Sequence, residues 1–118
     1  KLRFVNCGHV PPLLLRASGD IEELRPTATM LGAFSRWACK ESQTEIRPGD
    51  TLVLYSDGVT EAGIDRDEEF GEGRLRNVMR ESEAATASGL VTEIIEVVSA
   101  FGEGSRSDDV TVVALRGV

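Results

Sequence analysis

The chain has 118 residues, enough for one domain or a large piece of one. A net charge of −7 excludes the basic footprint that non-specific nucleic-acid binding requires, and 41% apolar residues in periodic blocks exclude disorder. No apolar run approaches the roughly 20 residues that cross a bilayer, and no stretch reads as a signal peptide, so neither nucleic acid nor membrane is expected as a partner.

Leu2 to Asn6 reads as a strand. It starts directly after Lys1, with no methionine, so the chain is expected to be a piece of something longer. Gly8 to Pro12 is a turn, because Pro11 and Pro12 remove donors and fix the backbone. Leu13 to Arg16 is a short buried strand followed by the turn Ala17 to Asp20. Together these segments predict a hairpin, with Ile21 to Leu24 as a further short strand. Thr27 to Phe34 is ambiguous. Arg36 to Ile46 predicts an extended strand with Trp37 and Cys39 on one face. Arg47-Pro48-Gly49-Asp50 is a strong turn signal, and Thr51 to Tyr55 is an apolar β-type run of the kind found in a fully covered strand.

Glu72 to Glu81 carries Leu75, Val78 and Met79 at helical spacing. Leu90 to Phe101 places Leu90, Val91, Ile94, Ile95, Val98 and Phe101 on one stripe, and Gly102 and Gly104 end it. Val110 to Leu115 predicts a last buried strand. Strands, then helices, then a returning strand give an α+β fold. Cys7 and Cys39 stand in apolar stretches outside any zinc-like cluster, which predicts buried free thiols and a reducing, cytoplasmic setting, with one disulfide as the alternative.

Two acidic motifs could carry chemistry. Asp57 ends a core strand within Tyr55-Ser56-Asp57-Gly58, where the strand aims the side chain and the glycine admits a close neighbour. Asp108 and Asp109 lead into the last strand. If the two strands lie side by side, these carboxylates meet at one sheet edge, as oxygen ligands for hard cations such as Mg2+ or Mn2+. For either motif alone, an ordinary turn sequence is the better reading.

Several segments together are more specific. Asn6-Cys7-Gly8-His9-Val10-Pro11-Pro12-Leu13-Leu14-Leu15-Arg16 comes first, then Pro48-Gly49-Asp50 through Tyr55-Ser56-Asp57-Gly58-Val59-Thr60-Glu61-Ala62. Phe70-Gly71-Glu72-Gly73-Arg74-Leu75 and Asp108-Asp109-Val110-Thr111 through Arg116 follow in the same order. In these segments the chain resembles the bacterial sporulation stage II E family of metal-dependent (PPM-type) serine/threonine protein phosphatases, over Leu2 to Arg116.

The resemblance implies that residues 1–118 are the C-terminal portion of a single phosphatase domain. Its fold would be part of an α-β-β-α sandwich of two antiparallel sheets flanked by helices. It implies a two-metal site of Mn2+ or Mg2+ that takes Asp57 and Asp108 as ligands, with Asp109 ranked lower. Water activated by the metals would attack phosphorus, so no cysteine or serine nucleophile and no catalytic side chain is assigned. The substrate would be a phosphorylated regulatory protein, commonly an anti-sigma-factor antagonist.

The family's first motif, an Asp before a Gly-His-Gly type turn, does not occur in this chain, and Gly8-His9 is a different, later motif. The remaining ligands would come from residues not in this chain, and the chain by itself is expected to be inactive. A segment N-terminal to it or self-association to a homo-oligomer would complete it. The competing reading is a non-catalytic regulatory or protein-interaction module with the phosphatase fold. His9 reads as a turn histidine held by backbone bonds, and Asp65 to Glu69 as an exposed acidic loop. Arg16, Arg36, Arg74, Arg76 and Arg106 read as surface arginines, none of which stands out as a phosphate clamp.

Overall fold

The structure is a computed structural model that describes residues 1–32, 35–36, 38–104 and 109–118. Trp37, Arg106 and Asp108, all singled out above, lie outside the described residues. Strands β1 (Leu2–Phe4), β2 (Leu13–Leu15), β3 (Ile21–Glu23), β4 (Ser42–Thr44) and β5 (Thr51–Tyr55) come first. A short helix α1 (Asp57–Thr60), a 3-10 turn (Ile64–Arg66) and helices α2 (Gly71–Glu81) and α3 (Ala87–Phe101) follow, and β6 (Val112–Arg116) closes the order. The main sheet runs β3-β2-β5-β6, and β1 pairs with β4 in a second, two-stranded sheet. Every pairing is antiparallel, so the architecture is α+β with two antiparallel sheets.

Alternation along the strands sets the layers. Leu13, Val53 and Tyr55 face the helices and pack with Leu75, Met79, Leu90, Ile94 and Val98. Leu14 and Leu52 face the other way, where Leu24 packs against them with the partly buried Leu2, Phe4 and Ile46. Burial of each such side chain contributes roughly 1.5–3 kcal/mol. An apolar cleft of about 620 Å³ is lined by Leu2 and Phe4 of β1 and by Leu52 and Leu54 of β5, and it extends to Ser56 and Thr111.

The hairpin forms across Ala17 to Asp20 and joins β2 to β3, with Leu15 opposite Ile21. β1 pairs instead with β4, Leu2 opposite Thr44. Of the strand expected over Arg36 to Ile46, the described residues form only Ser42–Thr44, plus one isolated bridge between Ala28 and Cys39. The stretch around it is Lys40-Glu41-Ser42-Gln43-Thr44-Glu45, which has no apolar side chains to bury. For the same reason Cys39 is exposed, while Cys7 is half-buried; both are free thiols, but neither is buried as expected. The last strand begins at Val112, not Val110, and is not buried on both faces: Val113 and Leu115 are each 48% exposed. Among the described residues it pairs with β5 alone, and α3 covers one of its faces. Helix α3 starts three residues before its apolar stripe because the Thr86 hydroxyl accepts the Gly89 N–H at 3.0 Å, capping the first turn.

One polar clasp fastens the two sheets together. Asp50 is buried, and its carboxylate accepts the Arg47 N–H at 3.0 Å, the Ala17 N–H at 3.0 Å and Arg16 Nη1 at 2.8 Å. Arg16 also donates to Glu22, to the Glu45 carbonyl and to Thr44 Oγ1 beside β1. The Arg47 N–H, then the Arg16 guanidinium, hold the Asp50 carboxyl down at about 2. Its folded value lies below its unfolded one. The stabilisation is therefore complete above about pH 4 and is lost as pH falls from there through about pH 2. In denaturant melts, Asp50→Asn is expected to be less stable than the native protein at neutral pH. The gap should close steadily below about pH 4. A gap that is the same at both pH values would show that Asp50 is not the group titrating.

Candidate metal centre

The site is built where β5 leaves the sheet. Tyr55 is the last residue of β5, and its register partner is Val112 of β6. The Tyr55 hydroxyl donates to Glu72 Oε1 at 3.2 Å, which ties the end of the strand to α2. Burial, then the Glu72 carboxylate, push the Tyr55 phenol well above its ordinary value, so it stays a neutral donor. Glu72 in turn accepts from Arg76, which also pairs with Glu23 on β3. Arg16 and Arg76 are thus both committed to carboxylates inside the fold. Arg74 donates to the Glu69 and Phe70 carbonyls and lies 4.6 Å from the Phe101 ring centroid.

After Tyr55 the chain turns directly into α1, a helix the sequence did not announce. The Glu61 N–H and the Thr60 hydroxyl both donate to the Asp57 carbonyl, at 2.8 and 3.3 Å. These two residues support the turn as their position beside Asp57 suggests. The Asp57 carboxylate is left exposed, with no hydrogen-bond or ion-pair partner among the described residues.

The segment that leads into β6 runs against this turn. The Ser56 N–H donates to the Thr111 carbonyl at 3.0 Å. A β-carbon on Gly58 would stand 2.1 Å from the Asp109 carbonyl oxygen, so only glycine allows this approach. The Asp57 turn and the Asp109 segment therefore lie against each other where β5 ends and β6 begins. Asp109 is exposed. Asp108 precedes it and lies outside the described residues.

His9 stands in the wall of the apolar cleft, in a turn organised by buried Asn6. Asn6 Oδ1 accepts the His9 N–H at 2.8 Å, and Asn6 Nδ2 donates to the carbonyls of His9 and Leu24. His9 Nδ1 lies 2.7 Å from the Val10 carbonyl. These are the backbone bonds expected of a turn histidine.

The sequence model of the Stage II sporulation protein E (SpoIIE) family matches residues 1–117. The chain belongs to the SpoIIE family. Among curated proteins, IcfG of Synechocystis sp. is 29% identical over 119 residues, spanning 97% of this chain and 18% of IcfG. The structure of the PP2C phosphatase domain of SpoIIE from Bacillus subtilis, with a fragment of its regulatory domain, superimposes with a TM-score of 0.80. It is 20% identical and covers 97% of this chain and 33% of that one. A manganese-presoaked structure of the same SpoIIE phosphatase domain gives a TM-score of 0.71 at 18% identity, covering 98% of this chain and 54% of that one. The chain thus has the fold of part of a PP2C-type phosphatase domain, and it spans less than two thirds of each of these relatives.

The SpoIIE-family fold implies bound metal, and the donors can be compared with that demand. An exposed carboxylate without a partner among the described residues, next to a second aspartate on the facing segment, is the all-oxygen chemistry that hard cations take. Among the described residues no group of three or more His, Cys, Asp or Glu could hold an ion. The donors among the described residues fit in kind and are fewer than a metal ion needs. No helix among the described residues is long and apolar enough to cross a membrane.

Proposed function

We propose that this chain is the C-terminal portion of a single metal-dependent phosphatase domain that removes phosphate from serine or threonine of a regulatory protein. An anti-sigma-factor antagonist is the substrate class the SpoIIE-family likeness suggests. The observation that carries the reading is the exposed Asp57 carboxylate, which has no partner among the described residues and is held at the end of β5 against the Asp109 segment. A carboxylate in such a place gains nothing for the fold, and a cation is what it suits.

Asp57, Asp108 and Asp109 would hold Mn2+ or Mg2+, with further ligands from residues outside this chain. Such ions, when bound, supply a hydroxide near neutral pH and offset charge on phosphoryl oxygens. The chain's own part is placement. Tyr55 and Glu72 anchor the end of β5, Thr60 and Glu61 fix the turn that carries Asp57, and Gly58 admits the Asp109 carbonyl. No side chain of this segment needs to act as a nucleophile, in keeping with free thiols remote in sequence from Asp57. Cytoplasmic signalling is the setting we propose.

The test is phosphate release by the full-length gene product from phosphoserine and phosphothreonine peptides, with manganese and after chelation. Release that stops on chelation and returns with manganese is expected. Stoichiometric binding of the phosphopeptide without release would favour a non-catalytic module instead.

A further inference from the structure

Ser56 stands at the N-cap position of α1, with extended backbone (φ −86°, ψ 164°), where a serine hydroxyl ordinarily caps the first turn. Here the side chain makes no cap bond. The hydroxyl instead accepts the Thr111 N–H at 3.0 Å and donates to the Asp109 carbonyl at 3.3 Å, across 55 and 53 residues of sequence.

The reason lies in the ladder between β5 and β6. The Ser56 N–H continues it by donating to the Thr111 carbonyl at 3.0 Å. The Ser56 carbonyl cannot continue it, because it has turned to accept the Val59 N–H at 3.1 Å. The hydroxyl takes the place the carbonyl has left. The chain can then turn away to present Asp57 while the facing strand stays in register for one further rung. A side chain without a hydroxyl leaves the Thr111 N–H and the Asp109 carbonyl with no partner from Ser56. Both residues are exposed, so water can take over those bonds and the fold survives.

We infer that Ser56 is a positioning residue, whose hydroxyl sets the separation between the Asp57 turn and the Asp109 segment and so the fit of the metal centre. This inference rests on the phosphatase reading above.

The experiment uses the full-length gene product and its Ser56→Ala, Ser56→Thr and Ser56→Val variants. Manganese affinity is measured by calorimetry, and kcat and KM are measured with p-nitrophenyl phosphate. Loss of a group that orients a ligand lowers metal affinity or activity by roughly 10–100-fold. Ser56→Ala and Ser56→Val should both show a loss of that size in manganese affinity and in kcat, with KM little changed. Ser56→Thr, which keeps the hydroxyl, should lie within a few-fold of the native protein. Native affinity and kcat in Ser56→Ala would overturn the inference and leave the phosphatase reading standing. Equal behaviour of the Thr and Val variants would overturn it as well, since shape and not the hydroxyl would then matter. A native protein that neither binds manganese nor releases phosphate would overturn both.

Discussion

Asp57→Asn in the full-length gene product is expected to abolish manganese-dependent phosphate release while moving the melting temperature by no more than a few degrees. The two halves of that expectation have separate grounds. Asp57 is exposed and its carboxylate holds nothing among the described residues, so an isosteric amide removes no bond from the fold. Surface changes of that kind usually fall within about 0.5 kcal/mol. A hard cation, by contrast, loses an anionic donor and gains a neutral one. The loss should exceed the roughly 10–100-fold that follows removal of a group which merely supports a ligand. Calorimetry with manganese on the same samples should show binding weakened in parallel. Full turnover by the variant would remove Asp57 from the site.

The second large effect is expected at Gly58. An alanine β-carbon there meets the Asp109 carbonyl oxygen at 2.1 Å and its carbon at 2.9 Å. Both are backbone atoms, so no side-chain rotation relieves the clash. Gly58 is buried, and forced overpacking of this kind costs about 1–3 kcal/mol. The way out is to move the Asp109 segment away from the turn, which also opens the site. Gly58→Ala should therefore lower the melting temperature and weaken manganese binding together. Gly73→Ala is the matched control: it lies in α2 with nothing within 4 Å of the added carbon. There the change should be neutral or stabilising by up to about 1 kcal/mol, since alanine favours a helix interior. Equal melting temperatures for Gly58→Ala and the native protein would mean the close approach is not a constraint.

The elements that were readable in the sequence are those whose burial is written as a period. β5 is an uninterrupted β-type run and forms where the pattern puts it, and α3 follows its apolar stripe apart from the extra first turn that Thr86 caps. The partnership of β1 with β4 was not readable. Leu2 and Thr44 lie far apart in the chain, and neither strand has a turn to announce the other. β6 was misread as buried because an apolar run records hydrophobicity and not whether a second layer covers it. Val113 and Leu115 lie on the face away from the helices, where the small sheet covers Leu14 and Leu52 and leaves these two exposed. In the candidate site, Asp57 was visible through its strand-glycine setting, and the structure places Asp109 beside its turn. The hydroxyl of Ser56 gave no signal, because a serine before a turn looks the same whether it caps a helix or latches a distant strand.

The bonds that join Ser56 to Asp109 and Thr111 also impose an order on synthesis. Chain elongation at about 5–20 residues per second places roughly 3–11 s between translation of β5 and of its partner segment. Throughout that interval the Asp57 turn has no Asp109 carbonyl against Gly58 and no Thr111 N–H on Ser56. The edge of β5 that later pairs with β6 stays open to any other strand in reach. While α2 and α3 emerge from the ribosome, the nascent chain therefore carries an open strand edge that invites mispairing.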